Sequence, residues 1–139
     1  MNVDSIRNGI VLDHIRAGRG MQIYHLLKLD ALDCPVAIIK NVHSKVMGKK
    51  DIIKIDADIP LDLDILGYVD PNITVNVIRD SVLVEKKRPE LPQRLTGVLK
   101  CKNPRCITAT EQELPQVFTL ADKKERVYRC LYCESKAKE

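Results

Sequence analysis

The sequence predicts an α+β protein in two parts: an α/β sandwich over residues 1–90, then a small all-β domain over residues 91–139. Three observations predict it. Apolar positions in the first part alternate between strand and helix periods. Arg88-Pro89-Glu90-Leu91-Pro92 carries two prolines that resist both helix and central strand, which places the domain boundary there. The second part, too short to bury much core, carries Cys101-Lys102-Asn103-Pro104-Arg105-Cys106 and Cys130-Leu131-Tyr132-Cys133.

The elements of the first part follow in order. Ile10-Val11-Leu12 then Asp13-His14-Ile15 reads as a buried strand that turns polar at its end, broken at Gly18-Arg19-Gly20. Ile23, Leu26 and Leu27 fall at i, i+3 and i+4, giving one face of a helix over Met21 to Leu29. Val36 to Val42 and Lys50 to Asp56 read as two more strands, with Ile53 and Ile55 on one face of the second and Ile52 and Lys54 on the other. Pro60 to Gly67 is expected to hold a short helix opened by the proline. Ile73, Val75 and Val77 alternate with polar residues, and a tight turn at Arg79-Asp80 leads into Val82, Val84 and Lys86 on one face. This order is the split βαβ, ferredoxin-like arrangement (βαββαβ) plus an extra strand.

In the second part, Val98-Leu99, Val117 to Leu120 and Val127 to Arg129 read as short strands around a metal, and Ser135 to Glu139 as a fraying polar tail. Two close cysteine pairs converge only if the chain between them folds back. Four thiolates suit a structural Zn²⁺ at Cys101, Cys106, Cys130 and Cys133, with no open position for catalysis. A pair of disulfides would require an oxidising compartment, and an iron–sulfur centre is the other occupant of such a set.

Charge splits unevenly. Residues 1–87 carry 12 basic and 12 acidic side chains, residues 88–139 carry 11 and 7, and a four-thiolate zinc site offsets part of the second excess. With one Phe, four Tyr and no Trp there are few stacking platforms, so a zinc-ribbon nucleic-acid-binding protein is the weaker alternative. No signal peptide or apolar run of membrane-spanning length is present, and a soluble, cytoplasmic chain is expected.

Catalytic signatures are missing. There is no phosphate-binding Gly-rich loop and no His-Glu-x-x-His, and His14, His25 and His43 are scattered. Adjacent Asp13 and His14 are expected on opposite sides of a strand, His25 at the surface, and Cys34 as a small core or loop residue. Lys49, Lys50 and Lys54 gather around one strand and Lys86, Lys87 and Arg88 end another, a pattern that suits either a solvated rim or a phosphate site.

Five ordered blocks carry a resemblance: Gly9-Ile10-Val11-Leu12-Asp13-His14-Ile15, Met47 to Ile55, Thr74-Val75-Asn76 with Ile78, Arg88-Pro89 with Leu91-Pro92, and the cysteine set. From about Val3 to Glu134 the chain resembles the regulatory chains of aspartate carbamoyltransferase. The resemblance implies a non-catalytic subunit of pyrimidine biosynthesis. Its N-terminal domain would bind nucleotide effectors, CTP with UTP inhibiting and ATP activating, and pair with its twin. Its zinc domain would dock on the catalytic chain.

The implied effector site is Ile6, Val11, Asp13, His14, Lys50, Lys54, Asn76, Ile78, Ser81, Leu83 and Lys86. Main-chain groups at Ile6 and Ser81 would read the base, Asp13 and Lys54 the ribose region, and Lys86 with His14 the triphosphate, while Lys50 and Asn76 would tune the response. Departures from the family are a shorter N-terminal arm, Glu85 beside Lys86, Ser81 for a bulkier aromatic, and a short tail after Cys133. A nucleotide sensor for some other enzyme is the remaining alternative.

Overall fold

The structure is a computed structural model that describes residues 6–137. The chain forms two compact units, residues 1–90 and residues 91–139.

The first unit runs β1 (Gly9–Arg16), α1 (Gly20–Leu26), β2 (Val36–Ser44), β3 (Gly48–Ile55), α2 (Leu63–Val69), β4 (Thr74–Arg79) and β5 (Val82–Lys87). Its strands make one antiparallel sheet in the order β2-β3-β1-β4-β5, the ferredoxin-like order with β5 added beside β4. The inward row is aliphatic: Ile10 and Leu12 of β1, Ile53 and Ile55 of β3 and Val75 of β4 pack with Ile23 of α1 and Leu66 of α2 in one buried cluster. Both helices therefore cover one face. The β1–β3 contact is close enough to require glycine at position 9, where a Cβ would lie 2.2 Å from the Ile55 carbonyl oxygen.

Helix boundaries differ from the expected ones for identifiable reasons. α1 ends at Leu26, with Leu27 as its cap, because Lys28 takes a left-handed conformation (φ 55°) and Leu29–Ala31 form a separate 3-10 turn. α2 begins at Leu63 rather than at Pro60. The Asp62 side chain accepts the N–H groups of Asp64 and Ile65, so the cap rather than the proline sets the start. The β4–β5 turn is Asp80-Ser81, both at positive φ, one residue later than expected.

One buried carboxylate ties this unit together. Asp51 on the inward face of β3 is 0% exposed and accepts the N–H groups of Gly18 (3.1 Å), Gly20 (3.0 Å) and Asn41 (3.0 Å). Its partners lie in the β1–α1 turn, at the start of α1 and in β2, so one side chain satisfies orphan donors from three segments. A Cβ at position 20 would sit 2.9 Å from the Asp51 carboxylate, which explains the glycine.

The second unit is a three-stranded antiparallel sheet, β6 (Arg94–Thr96), β7 (Val117–Asp122) and β8 (Val127–Cys130), in the order β6-β7-β8. Val98-Leu99 is not a strand, because the chain turns away at Gly97 (φ 73°), and the pairing falls on Arg94–Thr96 instead. Leu95, Val117, Phe118 and Tyr128 form its small buried set, and the Tyr128 hydroxyl donates to the Pro92 carbonyl. The tail does not fray as far as expected: Lys136 bridges to Arg129 and the Ala137 N–H donates to Tyr128, while residues 138 and 139 lie outside the described residues.

Candidate metal centre and outer-face ligand site

Two loops bring the four cysteines together. In the first, the Cys101 N–H donates to Gln116 Oε1, Asn103 Oδ1 accepts from the Arg105 N–H, and the Asn103 carbonyl accepts from the Cys106 N–H. In the second, the Cys130 carbonyl accepts from the Glu134 N–H, with Glu134 held at φ 63°. These turns leave all four Sγ atoms within 4.8 Å of one another, and none is in a disulfide. Cys101 and Cys133 are 3.6 Å apart, Cys106 and Cys130 3.7 Å. Zn–S bonds of about 2.3 Å set tetrahedrally give S···S edges of about 3.8 Å, so the donor set fits zinc.

The surroundings divide the thiols. Burial pushes Cys101 up to about 12 and raises Cys130 as well. The Thr108 hydroxyl and N–H pull Cys106 down, and the Ser135 hydroxyl beside Sγ pulls Cys133 down to about 6. Each loop thus holds one thiol whose pKa is lowered and one whose pKa is raised. Metal entry must expel the more tightly held protons, so binding is coupled to proton release.

The other expected residues gather on the outward face of the first unit's sheet. The register places Lys54 (β3), Val11 (β1), Asn76 (β4) and Lys86 (β5) side by side in one row across four strands. Three strand spacings separate its two lysines, about 14 Å. β3 and β5 are not neighbours, yet the sheet aims Lys54 and Lys86 the same way.

Two β-bulges complete this face. One falls in β1 between Leu12 and Ile15, where His14 takes φ 58°. It cancels the expected alternation of Asp13 and His14. Asp13 faces Thr74 across the ladder, and His14 Nδ1 lies 3.0 Å from Thr74 Oγ1. Asp13 accepts from Lys50 Nζ at 2.9 Å, with side chains 22% and 16% exposed. Burial opposes Asp13 ionisation, but the Lys50 ammonium, the His14 N–H and the charges of both residues outweigh it and hold the carboxyl below its ordinary value.

The second bulge is in β5. Val77 faces Glu85 while Ile78 faces Leu83, leaving Val84 as the extra residue. The expected common face of Val82, Val84 and Lys86 is therefore broken, and Leu83 joins Lys86 instead. Glu85 falls on the opposite, inward face with Val77, away from Lys86, and pairs with Lys87 at 3.4 Å.

Ile6 is buried just before β1, and the neighbouring Arg7 carbonyl accepts the Ser81 N–H at 2.9 Å, so positions 6 and 81 flank one corner. Of the two main-chain groups at Ser81, the N–H is already engaged. Asn76 Oδ1 is buried with no hydrogen-bond donor among the described residues. Thr74, the partner of His14, was not foreseen, since only the bulge brings them together. Cys34 packs half-buried against the core and His25 is exposed, as expected.

Comparison with known proteins agrees with this architecture. Residues 1–90 match the family model of the aspartate carbamoyltransferase regulatory chain, allosteric domain, and residues 93–139 that of its metal binding domain. The chain is 47% identical over 134 residues to the aspartate carbamoyltransferase regulatory chain of Clostridium botulinum (strain Hall), covering 96% of this chain and 92% of the relative. It is 47% identical over 135 residues to that of Clostridium tetani, covering 96% and 94%, and 46% identical over 138 residues to that of Bifidobacterium longum, covering 99% of each. The chain belongs to the aspartate carbamoyltransferase regulatory-chain family, a non-catalytic subunit with a metal-binding domain, and its cluster of four cysteines can hold the family's structural zinc.

Proposed function

We propose that residues 1–90 bind nucleotide effectors on the outward face of the sheet and that residues 91–139 dock on the catalytic chain, so that effector binding is coupled to the activity of the assembled enzyme. One observation carries this reading. The row Lys54–Val11–Asn76–Lys86 sets two cations at the ends of an apolar and amide floor, and Asn76 Oδ1 in that floor is buried without a donor among the described residues. Lys86 makes no ion pair among the described residues, which suits a compact charge waiting for a triphosphate. Lys54 and Asp13 meet the ribose region, His14 assists Lys86, and the corner at Ile6 and Ser81 meets the base. With Glu85 on the inward face, its carboxylate does not oppose the phosphates.

CTP, with UTP, is the inhibitor and ATP the activator in this reading, acting in the cytoplasm on pyrimidine biosynthesis, with the regulatory chain paired with its twin. Ile107, Leu131 and Tyr132 are large exposed apolar residues on the metal-binding loops, and they support docking of the zinc domain on the catalytic chain. An effector shifts the enzyme only as far as it prefers one state, and the coupling is reciprocal.

The test is Lys86→Ala in enzyme reconstituted with catalytic chains. Nucleotide affinity is expected to fall about ten- to hundred-fold, the loss of a charged hydrogen-bond partner, while assembly is retained. Unchanged CTP inhibition in that variant removes Lys86 from the site.

A further inference from the structure

The two helices do not reach under the whole sheet. Beneath β4 and β5, on the inward face and therefore opposite the nucleotide row, lies a cavity of about 420 Å³, within the size range of small-molecule sites. Its floor is Ile10, Val75 and Val77, and Leu61 from the segment before α2 forms one wall. The rim carries two ion pairs, Arg79 with Asp58 at 3.1 Å and Lys87 with Glu85 at 3.4 Å.

We propose that this cavity is a second ligand site, for a small carboxylate with an apolar ring or branched body. The aliphatic floor rewards burial of the body. Arg79 supplies the anchor, since its Nε and Nη2 already form a two-pronged contact with one carboxylate oxygen, Asp58 Oδ2, at 3.2 and 3.1 Å. Arg79 and Asp58 are 59% and 49% exposed, so that pair is weakly held and a ligand carboxylate can take the place of Asp58 at little cost. A cation that shares its rim with an apolar floor selects an anionic amphiphile over a neutral one, and the nearby Glu85 selects against a dianion.

The test is a titration of the ¹⁵N-labelled, zinc-loaded full chain with indole-3-propionate, followed by amide shifts. Saturable shifts at Ile10, Leu61, Val75 and Val77 are expected. The methyl ester of the probe, and the acid added to Arg79→Gln, are each expected to bind about ten-fold more weakly, as loss of a charge-assisted contact predicts. Arg79 is exposed, so that variant is expected to keep the fold, and the ester needs no variant at all. Shifts that never saturate, shifts centred on the outward-facing Val11 and Asn76, or an ester that binds as well as the acid would each overturn the proposal.

Discussion

The two units stabilise themselves by opposite means. The first closes ten buried aliphatic residues between a five-stranded sheet and two helices. The second has Leu95, Phe118 and Tyr128 on one face of a three-stranded sheet and Val117 on the other, and its loops are gathered by four sulfurs. The difference teaches where each can be varied: the first is sensitive to volume and the second to ligand chemistry.

Removing zinc breaks the comparison most sharply. Structural zinc contributes about 10 kcal/mol or more to small domains of this kind. Chelation is therefore expected to abolish amide protection in β6, β7 and β8 while β1 to β5 keep theirs, read by hydrogen exchange. Loss of protection throughout would mean that the first unit depends on the second.

A core truncation gives the converse. Ile53 is fully buried between helices and sheet, so Ile53→Ala is expected to cost about 2–5 kcal/mol in denaturant unfolding of the first unit. Bound zinc should remain at one ion per chain, measured by a colorimetric metal assay.

The smallest effect sharpens the metal side alone. The Thr108 hydroxyl donates to Cys106 Sγ and holds that thiol low. Thr108→Val removes the donor, the Cys106 pKa rises, and a proton competes better with the metal. Zinc is then expected to leave at a higher pH than in the unmodified chain during acid titration, with the fold of β1 to β5 unchanged. Release at the same pH would show that the hydroxyl does not stabilise the thiolate.

Legibility in the sequence followed locality. The metal ligands were readable because four cysteines at short spacings admit few arrangements, and the loops deliver them as expected. The sheet order followed from alternating periods, because the inward aliphatic residues of β1 and β3 keep strict alternation up to Leu12 in β1 and through Ile55 in β3. The bulges were not readable. His14 and Val84 are ordinary in composition, and it is the ladder partners, Asp51 and Thr74 beside β1 and Val77 and Ile78 beside β5, that reveal the extra residue. Those two bulges decide that His14 shares a face with Asp13 and that Leu83 shares one with Lys86. α2 was displaced for a simpler reason, as two capping signals, Pro60 and Asp62, stood close together and the side-chain cap prevailed.

Asp51 has a consequence for motion. Its carboxylate holds amides from the β1–α1 turn, the first residue of α1 and the irregular stretch of β2, so these segments have no private route of opening. A fluctuation that frees one amide must strip a fully buried carboxylate of a donor it has no water to replace. The edge strand β2 is thereby geared to the strand that carries Lys50 and Lys54, and a displacement at either end of that linkage is felt as strain at the other.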